Sequence, residues 1–169
     1  MIFVTVGTHE QPFNRLIEYM DQWAEIHDEK VVIQTGYSTY EPRFSEWEKF
    51  YPYQEMQKRV RTAKIVITHG GPSSFVMPLQ IGKIPIVVPR QVKYKEHVNN
   101  HQVEFCREVK KRMNNIILVE NINQLSEIIE DYKETDNNVN KGNNAAFCRK
   151  LEKLVEGMMN DCKNFEKSI

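Results

Sequence analysis

The chain has 169 residues, with 23 basic and 23 acidic side chains and a formal net charge of zero at pH 7. That length fits one ordinary domain, and a 40% share of hydrophobic residues excludes a fibrous, collagenous or wholly disordered chain. The three cysteines, Cys106, Cys148 and Cys162, lack C-x-x-C spacing, which excludes a disulfide framework or a cysteine-rich zinc module and suits free thiols in a reducing compartment. The zero sum hides a pattern: residues 1–56 carry −6, residues 57–112 carry +9 and residues 113–169 carry −3. A basic middle third is a clue to anionic partners.

Strand and helix signals alternate along the chain. Residues 2–6 read as a buried strand without the basic lead-in of a secretory signal. Phe13, Leu16, Ile17, Met20, Ala24 and His27 then recur at helical spacing after Pro12. Residues 31–34 form a second apolar run, and the irregular stretch 37–53 has room for a short edge strand. Residues 53–62 suit a polar helix, and 64–68 (KIVIT) a fully buried parallel strand. A Gly-Gly-Pro turn at 69–74 leads into an apolar helix over 75–81, kept short by Pro78 and ended by Gly82. A strand at 84–88, a helix at 98–112, a strand at 116–119 and a helix at 122–132 complete the alternation. Strands separated by helices predict an α/β fold: a Rossmann-like, doubly wound parallel sheet over residues 1–132. An Asn-rich linker at 133–144 and an amphipathic helix at 145–169, apolar at Phe147, Leu151, Leu154, Val155 and Met158, are expected to follow. That helix packs back on the domain, on a partner or on a membrane surface. No apolar run is long enough to cross a bilayer, so any membrane association is expected to be peripheral.

Ligands of open α/β sheets bind beyond the carboxyl ends of the strands, and the unusual residues gather there. Gly7, Thr8 and His9 follow the first strand. His69, Gly70, Gly71, Ser73 and Ser74 follow the KIVIT strand. The glycines permit close approach to a ligand, and the helix start suits a phosphate; alternatively the segment is only a tight turn with Ser73 as N-cap. His69 is either a hydrogen-bond donor to a phosphate or sugar oxygen or a satisfied core residue. The segment 96–102 carries Glu96, Asn100, His101 and Gln102, which suit sugar hydroxyls or simply begin a helix. His97 and His101 have chelating i, i+4 spacing, but the sequence offers no third ligand, so no metal site is expected. No G-x-G-x-x-G follows the first strand and no P-loop or G-x-S-x-G occurs, so no cofactor is expected. The basic residues are helix-borne without interleaved aromatics, which argues against nucleic acid.

Taken together, GTHEQPF (7–13), ITHGGPSSFVMPLQIGKIPIVVPR (67–90) and KEHVNNHQVEF (95–105) resemble the C-terminal, donor-binding half of family-28-type GT-B glycosyltransferases. The likeness covers residues 1–130 and extends to small stand-alone subunits of bacterial capsular and exopolysaccharide synthesis and to the soluble subunit of the eukaryotic dolichol-linked GlcNAc transferase. It implies a split enzyme that is cytoplasmic and recruited peripherally to the membrane. This chain would bind a UDP-sugar, and a separate membrane-associated subunit would present a lipid-linked oligosaccharide acceptor. By motif, Gly7, Thr8 and His9 would line the cleft between halves. His69, Gly70, Gly71, Ser73 and Ser74 would hold the diphosphate, and Glu96 the ribose. Asn100, His101 and Gln102 would face the donor sugar, and Tyr53 would pair with uracil through its backbone. The HGGPSS turn contains a proline where the eukaryotic relatives are Gly/Ser-rich. Inverting transfer of this kind requires a base but no metal. His9 is the candidate this chain offers, and the acceptor-side subunit is the expected alternative source.

The resemblance therefore implies a hexosyltransferase subunit transferring galactose or N-acetylglucosamine. A non-catalytic enhancer or assembly subunit is the first rival, and a freestanding nucleotide-sugar epimerase or hydrolase the second.

Overall fold

The computed structural model describes residues 1–134. Six strands form one sheet: β1 (Ile2–Thr5), β2 (Val31–Gln34), β3 (Glu46–Glu48), β4 (Ile65–His69), β5 (Ile86–Val88) and β6 (Ile117–Leu118). Their order is β3-β2-β1-β4-β5-β6, and every pairing is parallel. The sheet is thus Rossmann-like, with a switch point between β1 and β4, where the chain's direction of travel across the sheet reverses and a crevice opens at the strands' carboxyl ends.

The strands are apolar on both faces because helices cover both. Alternation sends Ile2, Val4 and Val6 toward α1 (Asn14–Glu25) and α5 (Leu125–Glu134), where Leu16, Ile17, Met20, Leu125 and Ile129 join one core cluster. Phe3, Val32 and Val66 point the other way, onto Val60 and Ala63 at the end of α2 (Tyr53–Thr62). Val87 meets Phe75 of α3 (Pro72–Gln80) and Cys106 of α4 (His101–Met113) on that face. Cys106 is a buried free thiol whose pKa burial pushes up to about 12.

Several expected boundaries shift, each for a local reason. The N-cap of α3 is Gly71, not Ser73; Pro72 takes the first helical position, where its missing N–H costs nothing. The fourth helix begins at His101 rather than 98, because Gln91 and Asn100 hold residues 91–100 in a compact loop: Gln91 O accepts from Glu96 N and Asn100 Oδ1 accepts from Val92 N (3.1 Å). The edge strand within 37–53 is β3, all three of its residues exposed. Asp21 of α1 holds the segment before it. Its carboxylate is fully buried and accepts from the amides of Arg43, Phe44 and Ser45 and from the Tyr40 hydroxyl. Burial acts to raise the pKa of Asp21, but these donors outweigh it and hold the group below its ordinary value. At the outer edge Glu46 pairs with Lys30 and Arg59.

α5 continues through Glu134, into the span expected as linker. The remainder of that linker, the helix expected at 145–169, Cys148 and Cys162 lie outside the described residues. No helix among the described residues is long and apolar enough to cross a membrane.

Candidate active site

A cleft of about 1000 Å³ opens beyond the carboxyl ends of β1, β2 and β4. Its floor is polar and tightly bonded. Thr5 Oγ1 accepts from Gly7 N and from Gln34 Nε2, both at 3.2 Å, and Gln34 Oε1 accepts from Tyr51 N at 3.1 Å. These bonds tie the ends of β1 and β2 to the segment entering α2. Gly7 turns the chain away from β1 with φ +75°, a left-handed conformation that suits glycine.

The centre of the site is His69, the last residue of β4, with 7% exposure. Its imidazole lies between Gly7 and Gly71, and a Cβ on either glycine would collide with the ring. These glycines therefore make room for a side chain of the protein itself. Burial, then the nearby charge of Arg90, lowers the pKa of His69 to about 4, so it is neutral at pH 7. It contributes hydrogen-bonding capacity, not positive charge. Gly70 likewise leaves room for Gln102 and Cys106, the closest atoms to a Cβ there.

The expected residues Gly7, Thr8, His9, Tyr53, His69, Ser73 and Ser74 all line this one cleft. At one end Tyr51, Met56, Val60 and Met77 make an apolar wall. In the middle the N-terminus of α3 faces the opening, with no side-chain cap. Its positive dipole end is thus available to an anion. Tyr53 begins α2, two-thirds exposed, with its hydroxyl accepting from Gln57 Nε2 (3.0 Å).

The second expected cluster is arranged differently. Glu96 does not line the cleft: it is 4% exposed, and its two oxygens accept from Arg15 Nε (2.7 Å) and Nη2 (2.9 Å), with Oε2 also accepting from Gln91 N (3.0 Å). Both oxygens of the carboxylate expected at ribose thus already accept hydrogen bonds within the protein. Gln102 is buried, and its Oε1 accepts from Arg90 N at 3.2 Å. Asn100 holds the loop through Val92 N. His101 is exposed at the start of α4, its ring 4.4 Å from that of His97, which in turn lies 5.0 Å from the ring of His9. The third histidine missing from the local sequence is thus brought in by the loop after β1. Even so, no group of His, Cys, Asp and Glu among the described residues is arranged to hold a metal ion.

Arg90 is the residue that motif reading passed over. Fully buried at the end of β5, it donates through Nη1 to the carbonyls of Gln11 (2.7 Å), Pro12 and Glu96, and through Nη2 to that of Val6 (3.1 Å). Burial lowers its pKa to about 10, which leaves it charged at neutral pH. One cation thus joins the loop after β1 to the loop after β5. The sequence signal was an arginine two positions beyond an otherwise apolar strand, after Pro89. Arg15 supports it from α1 and stacks under Tyr94, 4.5 Å from the ring centre.

Two solved structures share this arrangement of elements. The glycotransferase of kitacinnamycin matches with a TM-score of 0.57 and 16% identity, over 79% of this chain and 35% of that one. SnogD, a glycosyltransferase from Streptomyces nogalater, matches with a TM-score of 0.53 and 18% identity, over 77% and 35%. The chain therefore covers about a third of the length of these proteins. At such identity the likeness is one of fold. No curated protein matches the sequence. Residues 1–160 match the glycosyltransferase family 28 C-terminal domain. A match over nearly the whole chain, on a fold that forms one half of GT-B glycosyltransferases, makes this protein a member of that family.

Proposed function

We propose that the cleft binds a UDP-sugar and that the chain is the donor half of an inverting, metal-independent hexosyltransferase. The observation that carries this reading is the cleft itself: an apolar wall at α2 for a flat base, followed by the uncapped start of α3 for a diphosphate. The sugar then lies toward the loops after β1 and β5. Galactose or N-acetylglucosamine is the sugar we propose, and a lipid-diphosphate-linked oligosaccharide of capsule or exopolysaccharide synthesis the acceptor. A membrane-associated partner supplies the acceptor half at the cytoplasmic face.

Transfer requires stabilisation of the departing diphosphate and removal of a proton from the acceptor hydroxyl. The α3 N-terminus, Ser73 and Ser74 serve the first need. His9 suits it too, because its Nδ1 accepts from Gln11 N (3.2 Å), which leaves the proton of the neutral ring on Nε2. His9 is then a donor, and the base falls to the acceptor-side subunit.

Calorimetric titration of UDP and UDP-sugars into the purified chain tests the reading. Saturable binding is expected, and no binding at millimolar ligand would sink it. Gly71→Asp, which sets a carboxylate at the N-cap of α3, is expected to abolish UDP binding while the far-UV circular dichroism stays unchanged.

A further inference from the structure

The cleft that suits a diphosphate holds little positive charge. Among the described residues that line it there is no lysine or arginine, and its single acidic side chain is Glu10. His69 is neutral, and the guanidinium of Arg90 is directed at the carbonyls of Val6, Gln11, Pro12 and Glu96. Glu10 is exposed, and its carboxylate neither pairs with a cation nor accepts a hydrogen bond among the described residues. Its place in the chain is nevertheless fixed. Gly7 N donates to Thr5 Oγ1 before it, and Gln11 N donates to Nδ1 of His9 after it, both at 3.2 Å. The Gln11 carbonyl then accepts from Arg90 Nη1 at 2.7 Å. A braced loop thus brings a carboxylate without a partner to the cleft.

The chemistry of that group decides what can sit against it. An ionised carboxylate only accepts hydrogen bonds, and so does an ionised phosphate, so the two share no proton and repel. A sugar hydroxyl donates. We infer that Glu10 is a specificity-determining residue that selects a sugar-esterified diphosphate over a free one. It accepts from hydroxyls of the donor sugar and opposes a terminal phosphate in the same place. This role rests on the proposed function and adds to it which form of the nucleotide the cleft favours.

The same contrast acts during turnover. In transfer, the bond between the anomeric carbon and the β-phosphate oxygen breaks with its electron pair on that oxygen. The acceptor oxygen bonds to the carbon, and its proton goes to the base of the partner. The β-phosphate becomes terminal and more negative, and the hydroxyls that faced Glu10 have left. Glu10 therefore favours release of UDP once the sugar is gone.

The test is calorimetry on the full chain with UDP, its methyl ester at the terminal phosphate, UDP-galactose and UDP-N-acetylglucosamine. The methyl ester lacks the extra charge and supplies no hydroxyls, which separates repulsion from sugar recognition. Relative to wild type, Glu10→Gln is expected to bind UDP about fivefold more tightly and the better UDP-sugar about threefold more weakly. Its affinity for the methyl ester is expected to stay within about twofold. Glu10→Ala, which removes the charge without adding a donor, is expected to shift the UDP-sugar to UDP ratio the same way. Because Glu10 is exposed and unpaired, both variants are expected to keep the wild-type urea midpoint, so a fold defect would not account for a changed ratio. An unchanged ratio in both variants, with UDP still bound, would overturn the role of Glu10 and leave the reading of the cleft standing. No binding of any uridine ligand to the wild type would overturn that reading, and the role of Glu10 with it.

Discussion

The ring of His69 occupies the space that a side chain at Gly71 would need: a Cβ there would fall within 3.0 Å of Cδ2 and closer still to Nε2. Glycine at 71 is therefore a condition for histidine at 69. Gly71→Ala is expected to leave the fold intact, because residue 71 is an N-cap with extended backbone. It must, however, push the imidazole toward the cleft. UDP affinity is expected to fall about tenfold with a loss of stability of about 1 kcal/mol. Calorimetry and urea unfolding check both. In the double variant Gly71→Ala, His69→Ala the clash is absent, and recovery of stability relative to the single variant would show that the ring is the obstacle.

His69 also predicts a pH dependence. Its folded pKa, about 4, lies below the ordinary 6.5, so between those values the unfolded chain binds the extra proton and the folded one does not. The contribution is fully present above pH 6.5 and is lost as pH falls from 6.5 to about 4. Its upper size is about 3 kcal/mol. Urea unfolding of the wild type at pH 7 and pH 4.5 is expected to show a drop that His69→Asn lacks. Parallel pH curves for the two proteins would sink this account.

Arg90 gathers four carbonyls with one planar group, a geometry that an ammonium on a single stem does not reproduce. Arg90→Lys is expected to cost about 3 kcal/mol despite keeping the charge. Hydrogen exchange should quicken together in residues 7–13 and 89–100. Unchanged exchange in either loop would mean that the two are not joined through this residue.

Glu96 separates a ligand role from a positioning one. With both oxygens on Arg15, Glu96→Gln is expected to destabilise the chain by about 2 kcal/mol and to leave UDP affinity within about twofold. A tenfold loss of UDP affinity at unchanged stability would return the residue to the ribose.

Much of the fold was legible because it rests on local pattern. The KIVIT run became β4, the span 53–62 became α2, and Pro78 sits within a helix of nine residues. What the pattern concealed was side-chain competition between distant segments. Asp21 stands on the helix that carries Leu16, Ile17 and Met20, and only the loop at 40–45 explains why it is buried. Glu96 looked like a free carboxylate because Arg15 lies 81 positions away. Gly71 was legible as a turn residue, whereas its close neighbour, the histidine two positions back, shows only in three dimensions. The histidine row was half visible: His97 and His101 share a motif, whereas His9 reaches them only through the folding of the rim.

The acidic edge strand has a consequence for assembly. β3 ends the sheet, and its exposed Glu46 and Glu48 would meet the same residues of a second molecule if two such edges were laid side by side. Like charges facing across the new pairing would repel, and Glu46 would also have to give up the cations that now flank it. Extension of the sheet from one copy into another is disfavoured at that border.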